Sequence, residues 1–128
     1  MAETAAEKWQ NTIVKHRKKC QKILGVSRNI RYAGVINAFG RTLTGIVQPD
    51  VKPLLKSEQV KNEFFIISSI MTLRKDSEKA IGNLDYVLLV HQKVIIILLH
   101  KGKVTYYISV DKKTKNIEKV ISSIRKIL

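Results

Sequence analysis

A single cysteine, Cys20, leaves the chain without an internal disulfide. That excludes the small bridge-stapled domains that oxidising compartments favour. Long hydrophobic runs are absent too. The longest, Val94-Ile95-Ile96-Ile97-Leu98-Leu99, has the length of a strand and falls far short of the roughly 20 residues that span a bilayer. The stretch Met1-Ala2-Glu3-Thr4-Ala5-Ala6-Glu7 lacks the basic and then apolar regions of a secretory signal. Together these absences imply the cytoplasm. Prolines number two among 128 residues, and aromatics make up only 6%. The core is therefore aliphatic, built from Ile, Leu and Val. No internal repeat or low-complexity tract divides the chain, so residues 1–128 read as a single α/β domain.

Acidic residues are scarce as well. Ten Asp and Glu stand against 24 Lys and Arg, a net charge of +14. Such a surface attracts phosphates, anionic lipid or an acidic protein face. Compositional drift towards Lys and Ile gives the same charge with no anionic ligand at all.

The chemistry of catalysis is missing from the sequence. There is no G-x-x-x-x-G-K-[ST] and no G-x-G-x-x-G, which argues against a GTPase or a nucleotide-dependent enzyme. Asp76 and Glu78 fall where a helix should end, not where paired carboxylates would act. Cys20 lies on the apolar stripe of a helix, the place of a buried structural thiol. His91 and His100 end adjacent strands and are expected to approach each other across a hairpin. Two histidines without a neighbouring Cys or carboxylate make a poor zinc site. The expectation is a non-enzymatic binding protein with no catalytic residue, no cofactor and no metal.

Periodicity gives the elements. Residues 4–24 read as a helix opened by a Thr4–Glu7 capping box. Trp9, Ile13, His16, Cys20 and Ile23 recur on one face, and Gly25 marks the end. Strands at 31–38 and 41–47 flank the turn Asn37-Ala38-Phe39-Gly40, with Gly34 and Gly45 weakening them. Pro49 and Pro53 bracket a linker. Ser57 is placed to cap a second helix at 58–74. Val60, Phe64, Ile67 and Met71 line one of its faces, and Phe65, Ile66, Ile70 and Leu73 line a neighbouring one. A helix lying on a sheet with its back in water needs one such stripe, so this one is expected to be covered on two sides. Strands follow at about 84–91, 94–100 and 103–110. The middle strand is apolar on both faces and is expected at the centre of the sheet. A last helix at 114–127 buries Ile117, Val120, Ile121, Ile124 and Leu128.

The order α-β-β-α-β-β-β-α gives an α+β fold: a five-stranded antiparallel sheet with helices on both faces. That order, with the segment Ala33-Gly34-Val35-Ile36-Asn37-Ala38-Phe39-Gly40-Arg41-Thr42-Leu43-Thr44-Gly45, resembles the Roadblock/LC7 family. The segment is similar to its first hairpin, in which a hydrophobic strand ends in an Asp- or Asn-led turn closed by Gly. The chain also resembles small archaeal proteins of about this length that have no assigned function. Profilin, longin and PAS-like domains share parts of the architecture.

The resemblance implies a homodimer in which the middle helix packs on its partner's copy and the third strand extends the sheet. Val60, Phe64, Ile67 and Met71 are then the expected dimer interface, since wide apolar patches on a small monomer are uncommon. It further implies a platform that binds small Ras-like GTPases, regulates their nucleotide cycle or acts as an adaptor. A second reading uses the lysines. Lys15, Lys18, Lys19 and Lys22 on the first helix, with Lys115, Lys119 and Lys126 at the last, form one surface if both helices cover the same sheet face. That surface suits a nucleic-acid backbone, although no base-reading motif accompanies it. A third reading is a PAS- or longin-type ligand sensor with a pocket between sheet and helix, against which a dense aliphatic core argues.

Overall fold

The computed structural model describes residues 2–128; Met1, in the N-terminal stretch read above, lies outside them. The elements are α1 (Ala5–Leu24), β1 (Ile30–Ile36), β2 (Thr42–Val47), α2 (Ser57–Arg74), α3 (Glu78–Ile81), β3 (Tyr86–Val90), β4 (Val94–Lys101), β5 (Val104–Asp111) and α4 (Ile117–Ile127). The five strands form one sheet in the order β2-β1-β5-β4-β3, every neighbouring pair antiparallel. The expected order holds, with one addition: the single-turn α3, which follows a 3₁₀ turn at Lys75–Ser77.

Alternation along the strands sorts the core into two layers. Ala33, Val35, Ile97, Tyr106, Ile108 and Val110 face α1 and α4, where they meet Cys20, Ile23, Val120, Ile121 and Ile124. Ile36, Ile96, Leu98 and Tyr107 face the opposite way and meet Phe64, Ile67 and Met71 of α2. β4 carries apolar residues on both faces because it is interior and covered on both sides. The centre of the sheet is nevertheless β5, held between β1 and β4.

Local chemistry sets the boundaries. The Thr4 hydroxyl accepts the Glu7 N–H at 3.1 Å, as an N-cap should. Gly25 ends α1 in a right-handed conformation, φ −74°, so the helix stops there without a left-handed glycine. Ser57 proves to be the first helical residue. Lys56 holds the cap position, and its N–H donates to Gln59 Oε1 at 2.9 Å. The last helix begins at Ile117, three residues later than expected. Asn116 adopts a left-handed φ of 55° and its Oδ1 accepts the Lys119 N–H at 3.3 Å.

Two glycine features organise the α2 side. Gly34 sits directly opposite Gly45 in the β1–β2 ladder, and the Tyr32 ring lies across both, so that a Cβ at either would strike its hydroxyl. Gly40 closes the β1–β2 turn at φ +81°, and a Cβ there would lie 2.8 Å from the Phe64 carbonyl oxygen. The turn therefore docks on the α2 backbone. Asn37 Oδ1 fixes its shape by accepting the N–H groups of Phe39 and Arg41 at 2.9 and 3.0 Å.

The expected meeting of His91 and His100 does not occur. Val90 pairs with Ile95 and Tyr86 with Leu99, which puts the two histidines at opposite ends of the β3–β4 hairpin.

Candidate functional site

α2 has two apolar faces, and the sheet takes the one that the sequence assigned to a partner. Phe64, Ile67 and Met71 are buried against the sheet and Val60 is half-buried. Phe64 meets Tyr107 edge-on, with ring centroids 4.9 Å apart, and stacks near Tyr32 at 6.4 Å. These side chains pack within their own chain, so Val60, Phe64, Ile67 and Met71, expected as a dimer interface, are taken up by the sheet, and the exposed apolar residues of α2 lie on the neighbouring face. There Phe65, Ile66 and Leu73 are 64%, 53% and 71% exposed. β3, close behind in the chain, is an edge strand. Its outer row of backbone N–H and C=O groups is free to pair, and its last residue, Val90, is 60% exposed.

The opposite side of the molecule is basic. α1 and α4 share one sheet face, and Lys15, Lys18, Lys22, Lys115, Lys119 and Lys126 are exposed there, with Lys19 half-buried. Arg125–Asp85 is the one ion pair among the described residues, so these lysines have no carboxylate partners. Trp9 was expected in the core stripe. It is exposed, because every described residue before Ile13 is exposed and α1 meets the sheet only from there onward.

The interior titratable groups are structural. His16 Nδ1 lies 2.7 Å from the Tyr106 hydroxyl, and burial, helped by Lys19, lowers its pKa. Burial pushes the Cys20 thiol up to about 11, so it stays protonated and is no nucleophile. The Tyr107 hydroxyl donates to the Glu63 carboxylate at 3.1 Å, and burial together with that negative charge raises its pKa.

A pocket between sheet and helix is the third expectation, weighed against a dense core; the structure has one, and its place beside the β2–α2 linker was not read in the sequence. The linker between β2 and α2 arches over the sheet and encloses a cleft of about 770 Å³. The dense core does not prevent it, because it lies beside the core. The available signal was the linker's own apolar content, Val51, Leu54 and Leu55, unusual for a solvated connection.

No family model matches the sequence, and no curated protein matches it. Solved structures do. The gliding protein MglB from Thermus thermophilus superposes with a TM-score of 0.73 at 11% identity, over 90% of this chain and 84% of that one. An MglB with a tetrameric arrangement gives 0.72 at 12% identity, over 99% and 88%. A Roadblock/LC7 domain from Streptomyces avermitilis gives 0.66 at 6% identity, over 86% and 88%. The α+β architecture, a β2-β1-β5-β4-β3 sheet with helices on both faces, is the Roadblock/LC7 fold.

Proposed function

We propose that the chain is a single-domain, homodimeric, non-enzymatic adaptor or regulator in the cytoplasm, with a small Ras-like GTPase or another protein as its partner. The observation that carries this reading is the outer face of α2. Phe65, Ile66 and Leu73 form an exposed apolar strip on a helix whose other face is already spent on the sheet. A strip of this kind on a small chain marks a protein contact. The free edge of β3 offers a second means of joining two copies, by continuing the ladder. The tetrameric arrangement of one MglB supports self-association as a use of this fold. The GTPase rests on the resemblance to Roadblock/LC7 proteins.

The test is a titration against each Ras-like GTPase of the source organism, in GDP-bound and GTP-analogue-bound forms, at physiological salt. The expected result is one GTPase that binds with an affinity differing roughly tenfold between nucleotide states, the usual size of such coupling. Binding by none of them removes the GTPase from the reading.

A second reading draws on the shared placement of the α1 and α4 lysines. If that face holds a nucleic-acid backbone through six or more phosphates, affinity for a short duplex falls about a thousandfold or more between 50 and 200 mM salt. The paired substitutions Lys18→Gln and Lys119→Gln then lower the salt slope by about 2. Absence of binding at 50 mM salt eliminates this reading.

A further inference from the structure

The cleft beneath the β2–α2 linker has the dimensions of a small-molecule site, whose volumes run from about 300 to 1,000 Å³; it measures about 770 Å³. Its walls are Tyr32, Val47, Leu54, Leu55, Phe64 and Ile96. Apolar groups facing open space keep hydration that a hydrocarbon would displace.

One end of the cleft is basic. Arg31, His91 and Lys93 line it, at the end of the sheet where β1 and β4 begin and β3 ends. Arg31 reaches that position through a β-bulge. Ile30 pairs with Val110 and Tyr32 with Ser109, so two steps of β1 oppose one of β5 and Arg31 is the extra residue. Consecutive strand residues ordinarily point to opposite faces. The bulge re-aims one of them, and Arg31 and Tyr32 both line the cleft.

The Arg31 guanidinium donates to the Lys52 carbonyl at 2.8 Å, which ties the linker across the sheet. Among the described residues no carboxylate lies within ion-pair distance of Arg31 or Lys93. The cleft's one acid, Glu63, accepts the Tyr107 hydroxyl. A guanidinium at the cleft with donors to spare is matched by an anion able to take two of them at once.

We propose that this cleft binds an amphiphile: a hydrocarbon body against the apolar walls and one anionic head, carboxylate or phosphate, held by Arg31 with Lys93 nearby. The site lies on the sheet side of α2, away from Phe65, Ile66 and Leu73, so it goes beyond the adaptor reading and stands or falls separately from it.

The experiment is isothermal calorimetry on the full chain with dodecanoate, dodecyl phosphate and dodecanol, each below its aggregation concentration. One or both anions are expected to bind saturably at one per chain, with dodecanol at least about tenfold weaker, the scale of a charge-assisted hydrogen bond. The preference between the anions identifies the head group. Arg31→Gln should remove most of the anions' advantage over the alcohol, with circular dichroism reporting the fold. Lys93→Gln, on an exposed turn, should weaken the anions by a smaller factor and keeps the test valid if Arg31→Gln unfolds. Failure of both anions to saturate overturns the proposal. So does alcohol binding as tight as theirs, or anion binding that neither substitution weakens.

Discussion

Phe65→Glu is expected to split a dimer into folded monomers, while Phe64→Glu, one position earlier, unfolds the chain. The two phenylalanines differ only in the direction they face. Phe64 is 4% exposed and packs on Tyr107. Removing such a ring costs about 3–5 kcal/mol even as alanine, against a total stability of about 5–15 kcal/mol for a typical domain. A carboxylate at that position also loses its hydration with no partner to replace it. Phe65 already faces water in the protomer, and a polar residue there shifts stability by no more than about 0.5 kcal/mol. At the centre of an interface the same ring acts as an anchor. Anchors of this type contribute about 2 kcal/mol or more, so the dimer should weaken roughly 30-fold or beyond. Leu73→Glu should follow Phe65→Glu. Sedimentation velocity over a concentration series reads the assembly, and thermal unfolding reads the fold. A wild-type chain that stays monomeric at about 100 μM, where a dimer of even modest affinity assembles, would sink the prediction. So would a Phe65→Glu variant that assembles as the wild type does.

The same pair of residues shows how far the sequence can be read. The width of the apolar surface on α2 is plain from Val60, Phe64, Ile67 and Met71 beside Phe65, Ile66, Ile70 and Leu73. Its rotation is not. A helix apolar on two sides has no polar back to set which stripe faces the sheet. The contact that decides it joins Gly40 to the Phe64–Phe65 backbone, between segments more than twenty positions apart. Element order was legible because turn residues and alternation are local signals. Strand order was not: β5 comes to lie between β1 and β4, and no local pattern states which strands pair across long separations. The bulge that turns Arg31 into the cleft likewise has no signature in Ile30-Arg31-Tyr32. The basic face was readable residue by residue, because exposed lysines at helical spacing needed only the one further fact that α1 and α4 share a side of the sheet. Gly34 and Gly45 read as weak points in their strands. In the structure they are a facing pair that gives the Tyr32 ring a flat seat.

Gly40 carries the second large effect, and asparagine separates its two causes. At φ +81° an ordinary side chain is strained by about 1–3 kcal/mol. A Cβ would also lie 2.8 Å from the Phe64 carbonyl oxygen and 2.9 Å from the Phe65 backbone nitrogen, so α2 must shift, and crowding of that kind costs about 1–3 kcal/mol more. Gly40→Ala is therefore expected to destabilise the chain by on the order of 3 kcal/mol. Gly102, in the β4–β5 turn, also has positive φ, +61°, but nothing lies within 4 Å of a Cβ built there. Asparagine tolerates this left-handed region better than most residues. Gly102→Asn should consequently cost less than about 1 kcal/mol. Gly40→Asn relieves part of the dihedral strain and none of the close approach, so most of its loss should remain. Urea unfolding of the three variants measures the difference. Equal losses for Gly40→Asn and Gly102→Asn would mean that the β1–β2 turn does not rest on α2. The rotation of that helix, and with it the choice of Phe65 over Phe64 as the outward residue, would then need another cause.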